Sequence, residues 1–355
     1  MRSAASSSSA MPDPSDVPRK VRPRRRGARV VFGISVGVLL SEGLVRVVQR
    51  LREPPDERIS RLIHRASDDP ELIYELVPGA SGVRDGVPIV INDDGFRDDP
   101  FPAEGTRTGL RIIVLGDSVA WGWGVEMPQA FPQVLERELN AARSPDAPPH
   151  VVFNLAVDGY STAQEVRLLE TRVAAYQPDL VILAYVLNDP DVADGGLARH
   201  FTSSPVALVE LVRQGWRRAA EPPPPPFDGR NWDHEYHFYI HAKHKARIEA
   251  GFARLGRWRR EHRVPILVAV VPVMLFEPGT PYPWQYLHDY IASLCRKEGL
   301  ESLDLHEAFA GRSADGLKLD EWHPNAEGHA VIAGALHAFI HALSSAPGDA
   351  TEPRP

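Results

Sequence analysis

The run Leu110-Arg111-Ile112-Ile113-Val114-Leu115 ends abruptly in Gly116-Asp117-Ser118. An apolar stretch of this length reads as a buried strand, and the Gly-Asp pair after it reads as a turn. The turn delivers a serine hydroxyl to the place where a helix is about to start. A helix N-terminus offers unpaired N–H groups and the positive end of its dipole. Those groups can hold an oxyanion beside the serine. The tripeptide alone is weak, since average composition yields it by chance in roughly one chain in ten of this length. Its weight comes from the far end of the chain, where Asp320-Glu321-Trp322-His323 sets an acid and a histidine three residues apart.

From residue 110 onward, apolar runs alternate with helical patterns. Strands are expected at 110–115, 151–156, 179–186, 265–271 and 301–305. Helices are expected at 128–142, 161–176, 243–262, 284–299 and 325–343. Continuous Val/Ile/Leu runs separated by helices predict a parallel sheet covered on both faces. Sites on such sheets form at the carboxyl ends of the strands. Residues 190–240 break the alternation. They contain Pro222 to Pro226, a stiff extended piece, and are too long for a plain connection. A lid or substrate-facing insertion is expected there.

The N-terminal region has a different character. The chain of 355 residues carries a net charge of −7, with 43% apolar residues. Residues 1–29 hold eight basic and two acidic residues, a net +6, which leaves −13 for the remainder. An acidic main domain argues against nucleic acid as a partner. Residues 1–27 are rich in Ser, Pro and Arg and are expected to be a disordered basic tail. The basic block Arg19 to Arg26 precedes an apolar stretch from Val30 to Val48, broken by Ser41, Glu42 and Arg46. Basic residues before an apolar run predict a cytoplasmic N-terminus and a single transmembrane helix over 28–48, with a cleaved signal sequence and an amphipathic soluble helix as the alternatives. Glu42 and Arg46 stand four apart and can pair on one helix face. Residues 49–109 read as a linker with short strands and turns, in which Asn92-Asp93-Asp94-Gly95 marks a tight turn. Residues 346–355 read as a second disordered tail. Cys295 is the only cysteine, so no intrachain disulfide can form.

The chemistry follows from four places in the chain. Ser118 is the candidate nucleophile, and a nucleophilic serine needs a neighbouring base, for which His323 is the candidate. Asp320 can orient that imidazole and stabilise its charged form. Glu321 and Asp315 are rival acids. Acyl transfer also needs donors for the tetrahedral oxyanion. The backbone N–H of Ser118 is one. Gly159 follows the strand beginning at Val151 and can bring up a second. The strand from Leu180 ends at Asn188-Asp189-Pro190, so the Asn188 amide can be a third.

Taken in order, these blocks resemble the SGNH (GDSL-type) hydrolase family. Its first block matches at Gly116-Asp117-Ser118, its second at Gly159 and its fourth at Asp320 to His323. The third departs, because Val186 stands where the family has glycine ahead of Asn188-Asp189. The resemblance covers about 110–345 and implies an α/β fold. That fold is a three-layer α/β/α sandwich with a parallel, flavodoxin-like sheet, here preceded by the N-terminal transmembrane helix. It implies Ser118 as nucleophile, His323 as base, Asp320 as its partner, and an oxyanion hole of Ser118, Gly159 and Asn188. No cofactor and no metal are implied. Glu42 to Arg46 and Asn92 to Asp98 also resemble, more loosely, a membrane-tethered bacterial subgroup.

The expected activity is therefore that of a serine esterase, hydrolysing an O-acetyl ester on a glycan from the periplasmic side of a bacterial inner membrane. An O-acyltransferase to a glycan hydroxyl and a catalytically idle glycan-binding protein remain as alternatives. Gly33-Ile34-Ser35-Val36-Gly37 fits a nucleophile-elbow pattern but lies within the apolar stretch, where no strand-to-helix turn is expected. His234, His237, His241 and His244 share one face if helical. They are expected as solvated or lid-surface histidines, with a metal site as the alternative. Trp121 and Trp123 are expected either to line the acyl pocket or to pack in the core.

Overall fold

The computed structural model describes residues 25–52, 55–103, 105–106, 108–190, 201, 209, 216 and 232–345. The flanking tails and most of the 190–240 insertion, including Pro222 to Pro226, lie outside the described residues. Two compact units form, residues 1–52 with 204–220 and residues 53–203 with 221–355. In the first, helix α1 (Arg25–Arg52) contains the stretch Val30–Val48, mean hydropathy 1.8, long and apolar enough to cross a membrane. Arg46 Nε meets Glu42 Oε1 at 2.7 Å, the pairing their spacing predicts. The elbow-like Gly33 to Gly37 pattern lies within this helix.

The second unit begins with α2 (Pro55–Ile63) and two small antiparallel pairs. β1 (His64–Ala66) pairs with β2 (Tyr74–Leu76), and β3 (Ser81–Arg84) pairs with β4 (Val87–Val90). The apolar residues of this segment are spaced to face one way. Ile59, Ile63, Leu72, Tyr74, Leu76, Ile89, Ile91 and Phe96 are all buried in the same core as the main sheet. The expected turn at Asn92 forms: Asn92 Oδ1 accepts the N–H groups of Asp94 and Phe96, and Gly95 takes the left-handed conformation at φ +86°.

The main sheet is built from β5 (Arg111–Gly116), β6 (Val151–Asn154), β7 (Leu180–Tyr185), β8 (Ile266–Val270) and β9 (Glu301–Asp304). All five run parallel in the order β6-β5-β7-β8-β9. Every residue of β7 and β8 is buried, as continuous apolar strands predict. The helices between and beside them are α3 (Ser118–Trp121), α4 (Phe131–Ala142), α5 (Thr162–Thr171), α6 (Trp232–His262), α7 (Gln285–Glu298) and α8 (Ala326–Ser345). α4 packs with α8, and α5 and α7 both pack with α6. The chain moves from β5 to one neighbour, β6, and then returns to the other, β7. Right-handed crossovers therefore put α4 on one face and α5 to α7 on the opposite one. The reversal makes the carboxyl end of β5 a topological switch point, where a crevice opens. Ser118 sits there.

Three details depart from the expected elements. The helix expected from 128 is a 3-10 turn, Met127–Gln129, and then α4, separated by Ala130 in an extended conformation; Pro132 fits the first turn of α4. The helix expected to 176 ends at Thr171 and continues as a 3-10 turn, Val173–Tyr176. α6 starts well before 243, because its apolar stripe continues upstream through positions occupied by histidine. That stripe corrects the reading of the histidines. His237, His241 and His244 are buried, not solvated, because their face of α6 lies against the unit's interior. His241 Nε2 lies 3.0 Å from the Tyr185 hydroxyl of β7, and burial pushes the imidazole down to about 4. His234's side chain lies outside the described residues. Among the described residues no cluster of three His, Cys, Asp or Glu is arranged to hold a metal.

Candidate active site

The nucleophile candidate is presented by close backbone packing. A Cβ on Gly116 would come within 2.8 Å of Ala120 Cβ and 3.2 Å of Ala184 Cβ, so only glycine lets the strand end so near the next turn. Asp117 caps that turn, its Oδ1 accepting the Val119 N–H at 3.0 Å. The single helical turn α3 stops at Gly122, whose φ of +85° is the left-handed conformation that suits glycine. Ser118 Oγ then lies 3.0 Å from His323 Nε2 and 3.3 Å from Asp117 Oδ2.

The histidine comes from the loop ahead of α8. Asp320 holds it: both carboxylate oxygens lie 2.9 Å from His323 Nδ1. Asp320 Oδ1 also accepts the backbone N–H groups of Trp322 and His323, each at 2.8 Å. The structure thus brings Ser118, His323 and Asp320 together in that order. The rival acids stand aside. Asp315 pairs with Lys318 at 2.8 Å and is largely exposed. Glu321 joins the loop through its carbonyl, which accepts the Met274 N–H.

Burial alone would raise the Asp320 carboxyl. Its hydrogen bond and attraction to His323, with the two backbone N–H bonds, hold it below the ordinary carboxylate range instead. Asp117 goes the other way. Full burial lifts it to about 6, against the opposing pull of the Val119 N–H and the His323 charge. Nearby, His329 is pushed down to about 3 by burial, and its Nδ1 accepts the Phe131 N–H.

The oxyanion candidates lie on neighbouring strand ends. Gly159, at φ +78°, sits in the turn after β6. Among the described residues, neither its N–H nor that of Ser118 donates to another protein atom. Asn188 lies in the turn after β7, closed by the Asp189 N–H to the Val186 carbonyl at 3.1 Å. Val186 is not in the left-handed region, so this backbone makes no demand for the missing glycine.

Several further residues around the site lie outside the four sequence blocks. Trp123 lies against the His323 imidazole, ring centroids 4.3 Å apart and planes inclined by 27°. Arg84 of β3 pairs with Asp158, the neighbour of Gly159, at 2.8 Å, and the Tyr74 hydroxyl donates to the Asp158 carbonyl. Beside the site is a cavity of about 300 Å³ lined by Arg84, Asp85, Arg97, Trp121, Trp123 and Asp320, among others. Trp121 thus fulfils both readings, a buried core residue that also lines the cavity. The signal available was the segment 81–97 itself, whose turn residues and strand periodicity require it to pack on something.

Residues 114–331, more than half of the chain, match the GDSL-like lipase/acylhydrolase family. Curated protein sequences give no significant match. Among similar solved structures is a catalytic mutant of an acetylxylan esterase from Geobacillus stearothermophilus. It is 17% identical and covers 66% of this chain and 94% of its own, with a TM-score of 0.43. The psychrotrophic esterase EstA from Pseudoalteromonas sp., inhibited by monoethylphosphonate, is 14% identical over 66% and 99%, TM-score 0.42. A lipase/acylhydrolase from Enterococcus faecalis is 14% identical over 66% and 97%, TM-score 0.42.

Proposed function

Because the chain belongs to the GDSL-like lipase/acylhydrolase family and is a serine hydrolase acting on esters, we propose that it cleaves an O-acetyl ester of a glycan through an acyl-enzyme on Ser118. The observation that carries this is the Ser118 Oγ to His323 Nε2 distance of 3.0 Å, with Asp320 on the opposite ring nitrogen. Ser118 Oγ attacks the ester carbonyl carbon as His323 Nε2 takes its proton. Asp320 keeps Nδ1 protonated and stabilises the imidazolium. The carbonyl oxygen becomes an oxyanion held by the N–H groups of Ser118 and Gly159 and the Asn188 side-chain amide. Collapse breaks the bond to the alcohol oxygen, which leaves with the proton from Nε2. Water then attacks the acyl-enzyme by the same steps in reverse, releasing the acid and free Ser118.

Support for a sugar alcohol comes from the adjoining cavity. Its wall combines Trp121 and Trp123 with Arg84, Asp85 and Asp320, flat apolar faces edged by hydrogen-bonding groups. The cavity adjoins the triad through Asp320 and Trp123, which form part of its wall. The reading places this domain outside the cytoplasmic membrane, tethered by α1.

The test uses full-length protein in detergent. A fluorophosphonate probe should label the wild type and not Ser118→Ala, and turnover should be highest on short acyl esters. With an acetylated oligosaccharide, free acetate is the expected product. Transfer of the acetyl group to an added glycan acceptor in preference to water would make the protein an acyltransferase. No labelling and no turnover of any ester would overturn the reading.

A further inference from the structure

Arg97 belongs to the segment ahead of the family match, yet its guanidinium is 1% exposed beneath the active-site loop. Nη1 donates to the carbonyls of Trp121 at 3.0 Å and Gly122 at 2.5 Å. Nη2 donates to the carbonyls of Val125 at 2.8 Å and Pro88 at 3.3 Å. No carboxylate lies within ion-pair distance of Arg97 among the described residues. A buried cation without a counter-charge is costly, and burial pulls this guanidinium down to about 10. The fork is committed to one backbone loop, residues 121–125, which it ties to β4.

That loop presents one half-buried aromatic side chain, the indole of Trp123. Gly122 and Gly124 on either side are both left-handed, at φ +85° and +74°. A Cβ on Gly122 would lie 2.6 Å from Ala130 Cβ and 3.1 Å from Arg97 Nη1. A Cβ on Gly124 would lie 2.5 Å from Leu319 Cδ1, next to Asp320. The Trp123 N–H donates to the Ser118 carbonyl at 2.9 Å. The conformation is thus specified from three sides, and it lays the indole face on His323.

We infer that Trp123, held in place by Arg97, is a positioning residue for the proposed base, its indole face supporting the imidazolium that His323 becomes on taking the Ser118 proton. The inference rests on the triad reading above. A tryptophan face within about 6 Å attracts a cation, and the attraction grows where water is excluded. The other charged or titratable groups around His323 are Asp320 on Nδ1, Asp117 behind Ser118, Asp158 beyond Asp117, and the buried His329. Arg97 itself carries a positive charge, which opposes an imidazolium. Its charge and its bracing therefore act in opposite directions, which separates them experimentally.

The measurement is the pH profile of kcat/KM for a short acyl ester, using full-length protein. Trp123→Ala should lower the plateau roughly 3- to 30-fold, the rate equivalent of one cation–π contact. It should also move the acid limb to lower pH, because the protonated base has lost support. Trp123→Phe should restore part of both. Arg97→Lys keeps the charge but loses the fork, and should shift the acid limb in the same direction. The double variant should be no worse than Trp123→Ala, since both changes act through one contact. An unmoved acid limb in Trp123→Ala, or losses from Arg97→Lys and Trp123→Ala that multiply, would overturn the inference. If Arg97→Lys does not fold, the two Trp123 variants still decide. Full turnover by Ser118→Ala would instead remove the triad reading, whatever the limb does.

Discussion

Asp320 meets His323 through two N–H groups, Nδ1–H and the backbone N–H, and the same Oδ1 also accepts the backbone N–H of Trp322. The acid therefore fixes the ring and the loop that carries it at once. Asp320→Asn should lower kcat by roughly 10²–10⁴ while KM changes little, because the amide removes the negative charge and disturbs the tautomer. Single-turnover kinetics would check this. A loss below about tenfold would mean another acid, Glu321 being the nearest in sequence, can serve.

Asn188→Ala should lower kcat by roughly 10²–10³, the usual loss for one oxyanion donor. Asn188 Oδ1 is buried and unpartnered among the described residues, so the side chain is not held by the fold for its own sake. Folding should therefore survive the change, and circular dichroism with kinetics separates the two effects. An unchanged rate would mean that the oxyanion is held by backbone N–H groups alone.

The fold was legible where apolar runs were long. Strands β5 to β8 were visible because strands buried on both faces read as apolar runs, whereas the edge strand β9, Glu-Ser-Leu-Asp, is exposed to half-buried and left only a faint pattern. Ser118, Gly159, Asn188 and His323 each mark a strand end or the loop before a helix. The α6 histidines were misread because polarity suggested solvent, whereas His241 satisfies its ring through Tyr185 and the His237 carbonyl inside the unit. Arg97 was illegible as a site residue, and Trp123 was legible only as a residue that lines the acyl pocket or packs in the core, not as one that lies on the histidine. Their roles depend on a left-handed Gly122 and on a contact spanning some two hundred residues of chain, and neither leaves a local pattern.

Asp98 should make stability depend on pH. Burial raises its carboxyl from 3.8 to about 7, despite hydrogen bonds from the Asn154 N–H and Gln133. The folded state keeps this proton where the unfolded state has lost it. Its contribution is therefore fully present below the unfolded value and is lost as pH rises through about 7. Asp98→Asn cannot titrate. Its stability relative to wild type should rise with pH between about 4 and 7, by up to about 1.4 kcal/mol per pH unit. Urea unfolding at three pH values tests this, and parallel curves for the two proteins would refute it.

The Arg84–Asp158 pair should be worth more together than apart. Their side chains are 7% and 16% exposed, so removing one leaves a buried charge alone. Arg84→Met should cost about 3 kcal/mol of stability. Asp158→Asn combined with it should recover part of that loss, giving a coupling above about 1 kcal/mol in a double-mutant cycle. A coupling near zero would show that solvent screens the pair.

Membrane attachment should depend on α1 alone. Its stretch Val30–Val48 has the length and hydropathy to span a bilayer, and the block Arg19 to Arg26 precedes it. Basic residues flanking a span are retained on the cytoplasmic side, so Ser118 is expected on the far side. A reporter fused after residue 345 should then be active only if it works outside the cytoplasm. Neutralising Arg22, Arg24, Arg25 and Arg26 should scramble that orientation. Protein lacking residues 1–52 should fractionate as soluble, since the compact unit from residue 53 carries its own buried core. Retention of that truncated protein on membranes washed with high salt would move the attachment to the α2–β4 segment. The hairpin residues Val83 and Val90 are exposed there. A cytoplasmic reporter signal from the intact chain would remove the extracytoplasmic glycan as substrate and leave an esterase acting on soluble acyl esters.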